Sequence, residues 1–334
     1  MPTSATTGLV DGRECTVFCS NDYLGLSWHP EVRAAFARGG GAGSARLVSG
    51  HRRVHGELEE RIGDLYGRPA LLFPSGYQAN VALFATLLQA GDLVASDRLN
   101  HASIIDGIRL SKAERRILPH NRPDAIPEGT RLVAVEGLYS MDGDVPDFPK
   151  WFGAHWLAVD EAHAFGTLGP GGRGAAAAAG VVPDFVVGTL GKALGSAGAF
   201  VVGPPELKSL LTSNGRAFVY TTASPEPLAY AALAALNLAD DARRERLAAN
   251  TRRLRAGLWQ IGARLSGTAH IVPVMTGEHT MRVAERLLAA GIYAAGIRYP
   301  TVPRGQERVR LTVSSEHSSQ EVDRCVDAFA KALK

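Results

Sequence analysis

The sequence predicts an α/β protein with a largely parallel sheet flanked by helices, followed by a smaller α+β C-terminal domain. Three observations predict it. Short apolar runs alternate with longer helical patterns from about Leu71 to Val202, as strand–helix–strand units require. An Ala/Leu-rich stretch over 226–258 has no proline after Pro227 and reads as one long helix. Beyond it the pattern gives strand, helix, strand and a closing helix.

The elements follow in order. Apolar runs predict strands at 70–73, 93–96, 132–136, 156–160, 185–189 and 199–202. A helix is expected over 77–89, ending before Gly91. The alanine run 175–179 predicts a helical turn without chemistry. In the last third, 271–276, 281–289 and 308–313 read as strand, helix and strand, and 320–333 as the closing helix. The expected division is a short N-terminal segment over 1–35, a large domain over 36–225 and a small domain over 226–334.

Composition narrows the function. The chain has 334 residues, 46% hydrophobic and 21% charged, enough to bury a large core. The net charge is +3, with basic and acidic residues interspersed, so no nucleic-acid surface is expected. The run Arg243-Arg244-Glu245-Arg246 reads as a solvated helix face. Cys15, Cys19 and Cys325 are the three cysteines and form no Cys-x-x-Cys pair. Neither a disulfide framework nor a metal site is therefore expected. The first ten residues lack a basic region followed by an apolar stretch. The longest apolar run, about 228–238, is too short to span a bilayer. The expectation is a cytoplasmic protein with no membrane partner.

Polar residues stand at or just after five strand ends: Ser75-Gly76-Tyr77, His101, Glu136 with Ser140, Asp160 with His163, and Thr189 with Lys192. Ligands of open α/β sheets bind beyond these ends, so five such positions point to one site. Ser75-Gly76-Tyr77 follows a strand and opens a helix, where N–H groups attract a phosphate; a plain strand-to-helix turn is the alternative. Asp160 ends an apolar run. It suits a protonated pyridine nitrogen, or else a salt bridge or helix cap. His163 can bond a ring hydroxyl or be structural. Lys192, among Gly188, Gly191 and Gly195, is a candidate Schiff-base amine or a surface lysine. His101 can stack on a ring or cap a helix. Arg310, alternating with apolar residues, can hold a carboxylate by two hydrogen bonds or lie on a strand surface. The combination of Asp160, Lys192 and a phosphate loop favours a pyridoxal phosphate (PLP) site.

These residues fall in motifs that run nearly end to end. They include Ser20-Asn21-Asp22-Tyr23-Leu24-Gly25-Leu26, Gly43-Ser44-Ala45-Arg46-Leu47-Val48-Ser49-Gly50 and Asn100-His101-Ala102-Ser103. Further on come Glu136-Gly137-Leu138-Tyr139-Ser140-Met141-Asp142-Gly143-Asp144, Val159-Asp160-Glu161-Ala162-His163 and Gly188-Thr189-Leu190-Gly191-Lys192. Tyr220-Thr221-Thr222-Ala223 and Pro300-Thr301-Val302-Pro303, leading to Arg310, complete them. The chain thereby resembles the α-oxoamine synthases, PLP-dependent transferases of fold type I, and among them the member that serves biotin synthesis.

The resemblance implies roles. Lys192 binds PLP as a Schiff base and later moves the substrate's α-proton. Asp160 pairs with the pyridine nitrogen, His163 and Ser140 contact the ring oxygen, and His101 stacks on the ring. Ser75, Gly76 and Tyr77 hold the phosphate side, and Thr189 lies beside Lys192. Thr221 or Thr222 reaches the neighbouring subunit's phosphate, so a homodimer with shared sites is implied. Asn21, Thr301 and Arg310 belong to the substrate side. The implied reaction joins L-alanine to a pimeloyl thioester, on CoA or a carrier protein, with loss of carbon dioxide; a member using glycine and acetyl-CoA is the alternative. Arg13 is the one arginine among the 20 residues before Asn21, so a carrier-protein thioester is expected to outperform the CoA ester.

Overall fold

The computed structural model describes residues 1–334. The strands are β1 (Thr7–Val10), β2 (Arg13–Val17), β3 (Ala70–Phe73), β4 (Leu93–Asp97), β5 (Glu114–Leu118), β6 (Leu132–Glu136) and β7 (Trp156–Asp160). They continue with β8 (Phe185–Thr189), β9 (Ala199–Val202), β10 (Ile271–Met275), β11 (Ile292–Tyr293), β12 (Ala295–Ile297) and β13 (Arg308–Thr312). The helices are α1 (Pro30–Ala35), α2 (Arg53–Tyr66), α3 (Gly76–Leu87), α4 (Ala102–Ser111), α5 (Ala175–Ala178) and α6 (Pro205–Asn214). After them come α7 (Arg216–Val219), α8 (Glu226–Leu238), α9 (Asp241–Gln260), α10 (Thr280–Ala289) and α11 (Ser319–Ala332).

Two compact units result. The large one comprises His29–Leu138 and Pro146–Leu238; the small one is assembled from Met1–Trp28, Tyr139–Val145 and Ala239–Lys334.

The large unit is built on a seven-stranded sheet in the order β3-β9-β8-β7-β6-β4-β5. Only β9 runs against its neighbours, β3 and β8; the others are parallel. β6 is buried along its whole length, and β7 everywhere but at Trp156. Strands covered on both faces read as unbroken apolar runs, which is why their bounds match the expected ones. β5 was not expected. Its sequence Glu-Arg-Arg-Ile-Leu holds the sheet edge with exposed polar side chains, and charged residues keep such an edge from pairing further. The core under the sheet gathers Phe73, Leu83, Phe84, Val94, Ile104, Ile108 and Val201. α3 packs closely on α4 at Gly107, where a Cβ would lie 3.0 Å from both the Asn80 carbonyl oxygen and Phe84 Cβ.

The single helix expected over 226–258 is two helices. The first ends at Leu238 and Asp240 caps the second, its carboxylate accepting the Arg243 N–H at 2.8 Å. A side-chain oxygen at this position satisfies an otherwise unpaired helix donor. α8 packs on α1 and α2, so the compact boundary falls after Leu238 rather than after 225. The N-terminal segment likewise divides at Trp28.

The small unit carries two three-stranded sheets, β1-β2-β11 and β10-β13-β12. β10 and β13 pair antiparallel from Ile271↔Thr312 to Met275↔Arg308. α11 lies against α9 and α10 and begins with a capping box between Ser318 and Glu321. No helix of the chain is long and apolar enough to cross a membrane.

Candidate active site

The parallel strands of the large unit deliver their polar residues to one edge: Asp97 from β4, Glu136 from β6, Asp160 from β7 and Thr189 from β8. Glu136 and Asp160 are register partners. Asp160 is 8% exposed. Its Oδ1 accepts from Ala162 N at 3.0 Å and its Oδ2 from Asn80 Nδ2 at 2.7 Å. Burial, reinforced by the Asp160 charge, pushes the Glu136 carboxyl well above the usual carboxylate range. The Lys192 ammonium and the His101 backbone N–H pull it the other way. Glu136, Asp160 and Lys192 thus share one electrostatic environment.

Lys192 lies half-buried in the loop after β8. Three backbone bonds close that loop: Leu190 N to Gly198 O at 2.9 Å, Ser196 N to Leu190 O at 3.0 Å, and Gly195 N to Lys192 O at 2.9 Å. The Thr189 hydroxyl is used within it, donating to Gly198 O at 3.1 Å and accepting from Gly191 N at 3.3 Å. Gly188 is required upstream, since a Cβ there would stand 2.2 Å from the Phe200 ring.

His101 caps α4. Its Nδ1 accepts from Ser103 N at 3.2 Å and lies 2.7 Å from Ser103 Oγ, while the residue as a whole is exposed. The Tyr77 ring stands edge-on to it at 6.4 Å between centroids. Ser75 caps α3, its Oγ accepting from Gln78 N at 3.2 Å. The N–H groups of Gly76 and Tyr77 then begin a helix and have no acceptor within it, and nothing crowds the Cβ side of Gly76. The Tyr77 hydroxyl is turned aside, bonded to Asp106, so only its backbone is available to an anion. Thr221 Oγ1 accepts from Gln78 Nε2 at 3.3 Å. Thr222 is exposed and bridges to Ala45.

His163 is buried in the turn after β7. Its neighbour Glu161 accepts from Ala175 N and Ala176 N at 2.9 Å each. Burial raises its carboxyl to about 7. Gly137 and Gly174 make room for it, because a Cβ on either would lie 1.9 or 2.3 Å from the carboxyl group.

In the small unit Arg310, 6% exposed, bonds the Ser140 carbonyl through Nε and Asn21 Oδ1 through Nη2 at 3.4 Å. The Tyr23 hydroxyl also donates to Asn21 Oδ1, at 3.1 Å. Asn21, Ser140 and Arg310 are therefore brought together. Thr301 is not: it is exposed in a turn, its N–H bonded to Arg298 O at 2.9 Å.

Glu136 was expected at a strand end of the site but without a role of its own, and Asn80 of the large-unit cluster was given no place in it. Glu136 closes Leu-Val-Ala-Val-Glu much as Asp160 closes Trp-Leu-Ala-Val-Asp, a parallel legible in the sequence. Asn80 had no such signal, since its partners are 23 and 80 positions away.

Residues 13–329 match the family model described as aminotransferase class I and II. A protein of Desulforudis audaxviator named as a putative 8-amino-7-oxononanoate synthase is 43% identical, over 100% of this chain and 93% of its own. The 8-amino-7-oxononanoate synthase of Geotalea daltonii is 42% identical, over 96% and 89%. Among solved structures, Sphingomonas wittichii serine palmitoyltransferase superposes with a TM-score of 0.93 at 30% identity, covering 99% of this chain and 90% of that one. The 8-amino-7-oxononanoate synthase of Francisella tularensis gives 0.83 at 28% identity, covering 95% and 97%. With these matches spanning nearly its whole length, the chain belongs to the class I and II aminotransferase family and, within it, to the α-oxoamine synthases.

Proposed function

We propose that the chain is a PLP-dependent acyltransferase, a cytoplasmic homodimer, that condenses L-alanine with a pimeloyl thioester. The products are 8-amino-7-oxononanoate, carbon dioxide and the released thiol, a step of biotin synthesis. The observation that carries this reading is identity of 42–43% along essentially the whole chain with proteins bearing that name.

The donor set of the large unit fits PLP. An amine stands in a closed loop at Lys192, a carboxylate is held by two N–H donors at Asp160, and two helix-start N–H groups at Gly76 and Tyr77 suit a phosphate. When bound, PLP supplies an electron sink for the pair left on the amino acid's α-carbon. Lys192 Nζ would hold the cofactor, and the same amine is the group that would move the substrate's α-proton. The Asp160 carboxylate keeps a proton on the pyridine nitrogen, its own charge stabilised by Asn80 and Ala162. His101 would cover the ring, and His163 and Ser140 would hold the ring oxygen. Asn21, Thr301 and Arg310 would serve the substrate side, with the Arg310 guanidinium suited to the amino-acid carboxylate. Thr221 and Thr222 serve the partner's phosphate. The exposed apolar side chains Leu47, Val48 and Tyr220, on the two segments joined by the Ala45–Thr222 bridge, support a second copy on this face.

A second reading, serine with a long-chain acyl thioester, is favoured by the TM-scores of 0.93 with serine palmitoyltransferases. Condensation of glycine with acetyl-CoA is the third. One assay separates them. Alanine is paired with pimeloyl-carrier protein and pimeloyl-CoA, serine with palmitoyl-CoA and glycine with acetyl-CoA, following thiol release and carbon dioxide. Turnover with alanine and either pimeloyl thioester is expected. Turnover confined to serine or glycine replaces the reading.

A further inference from the structure

We propose that Asn80 and Ser103 are positioning residues that tie the Asp160 carboxylate to the His101 imidazole and fix that ring as its Nε2–H tautomer. What Asp160 and His101 do for PLP rests on the reading above; the network itself stands on distances within the large unit.

Asn80 is 1% exposed and Ser103 fully buried. Asn80 comes from α3 and Ser103 from α4, helices held together at Gly107. Asn80 Nδ2 lies 2.7 Å from Asp160 Oδ2 and 2.9 Å from Ser103 Oγ. An amide nitrogen only donates, so both of its hydrogens are used. The flipped amide would set Oδ1 against a carboxylate oxygen with no proton between them, so the network assigns the orientation.

Ser103 Oγ therefore receives a hydrogen from Asn80, and it lies 2.7 Å from His101 Nδ1. Ser103 N donates to the same Nδ1 at 3.2 Å. An imidazole nitrogen that accepts carries no hydrogen, so Ser103 Oγ directs its own hydrogen to Nδ1 and the neutral ring must bear its hydrogen on Nε2. Asn80 Oδ1 is meanwhile buried without a protein partner. An apolar side chain of similar volume would avoid that cost. An amide is the better choice only if its two directed hydrogens matter.

The test uses the full chain labelled with 15N in its histidines, measured without and with PLP at a pH where imidazole is neutral. His101→Gln assigns the resonance. The expected wild-type spectrum shows hydrogen on Nε2 and a bare Nδ1. Ser103→Ala and Asn80→Ala should each move the ring toward a mixture of tautomers, although Asn80 does not touch it. Asn80→Ala should also raise the PLP dissociation constant about tenfold, as loss of a hydrogen bond to a charged group does. Hydrogen on Nδ1 in the wild type overturns the proposal and needs no variant to fold. An unchanged tautomer in both folded variants overturns it too. Failure to bind PLP with the expected tautomer intact would sink the PLP reading and leave the network standing.

Discussion

Arg308 Nη1 lies 2.7 Å from Asp142 Oδ1, and the same nitrogen donates to the Met141 carbonyl at 3.0 Å. Arg308 is 1% exposed, so this pair fastens the segment Tyr139–Val145 to β13 inside the small unit. The Asp142 side chain is 28% exposed, and removing it leaves the buried Arg308 charge uncompensated. Asp142→Ala is expected to cost about 3 kcal/mol, read as a shifted denaturation midpoint with unchanged slope. A loss within measurement error would show that the pair is not structural.

Lys192→Ala should abolish covalent attachment of PLP. Borohydride treatment of the wild-type chain is expected to fix the cofactor to the peptide containing Lys192 and to no other. Mass spectrometry of the digest decides, and a label on a different lysine refutes the assignment.

Mixing Lys192→Ala chains with Thr222→Ala chains tests the shared site. Hybrid dimers would hold one site with both lesions and one with neither. Activity should reappear on mixing, approaching about a quarter of the wild-type value if exchange is random and each parent is inactive. No recovery after verified subunit exchange would count against the Thr222 role.

His317 is buried and stacked on Phe18 at 4.1 Å, with Nδ1 accepting from Ser314 N at 3.0 Å and Nε2 3.1 Å from Val17 O. Burial lowers it from 6.5 to about 4. A histidine held neutral in the folded state contributes stability that is fully present above pH 6.5 and lost as pH falls toward 4. The advantage of wild type over His317→Gln should therefore narrow by about 3 kcal/mol across that window. A constant difference would contradict it.

Glu161 has the opposite sign. Its carboxyl is raised from 4.5 to about 7, so the folded state binds the proton more tightly than the unfolded chain. Stability should fall as pH rises from about 4.5 to 7 and then level off. Glu161→Gln should flatten that slope, and melting temperatures across the range would show whether it does.

Much of the large unit was legible in the sequence because its central strands are buried on both faces. Trp156–Asp160 and Leu132–Glu136 each end an apolar run with a carboxylate, which marks both the strand and its functional end. β5 escaped because an edge strand has no apolar alternation to display. The break between α8 and α9 escaped because Asp240 differs little from any polar residue in a helical pattern until its cap geometry is seen. Asn80 escaped because its two partners meet it only through packing of α3, α4 and β7. The loop that holds Lys192 was legible through its glycines, while the backbone bonds that close it were not.

The small unit's three-part construction bears on how the chain is made. β2 pairs parallel with β11, Thr16 with Ile292 and Val17 with Tyr293. During synthesis the β1–β2 hairpin leaves the ribosome long before its third strand exists. At 5–20 residues per second, the 275 residues from the one after Val17 through Ile292 take roughly 14 to 55 s. Every strand of the seven-stranded sheet is available once Val202 has emerged, so that sheet can form while the hairpin still waits. For that interval the β2 edge is open to foreign strands. Slow translation anywhere between β2 and β11 should therefore raise the demand for chaperones more than slow translation of the residues after Tyr293.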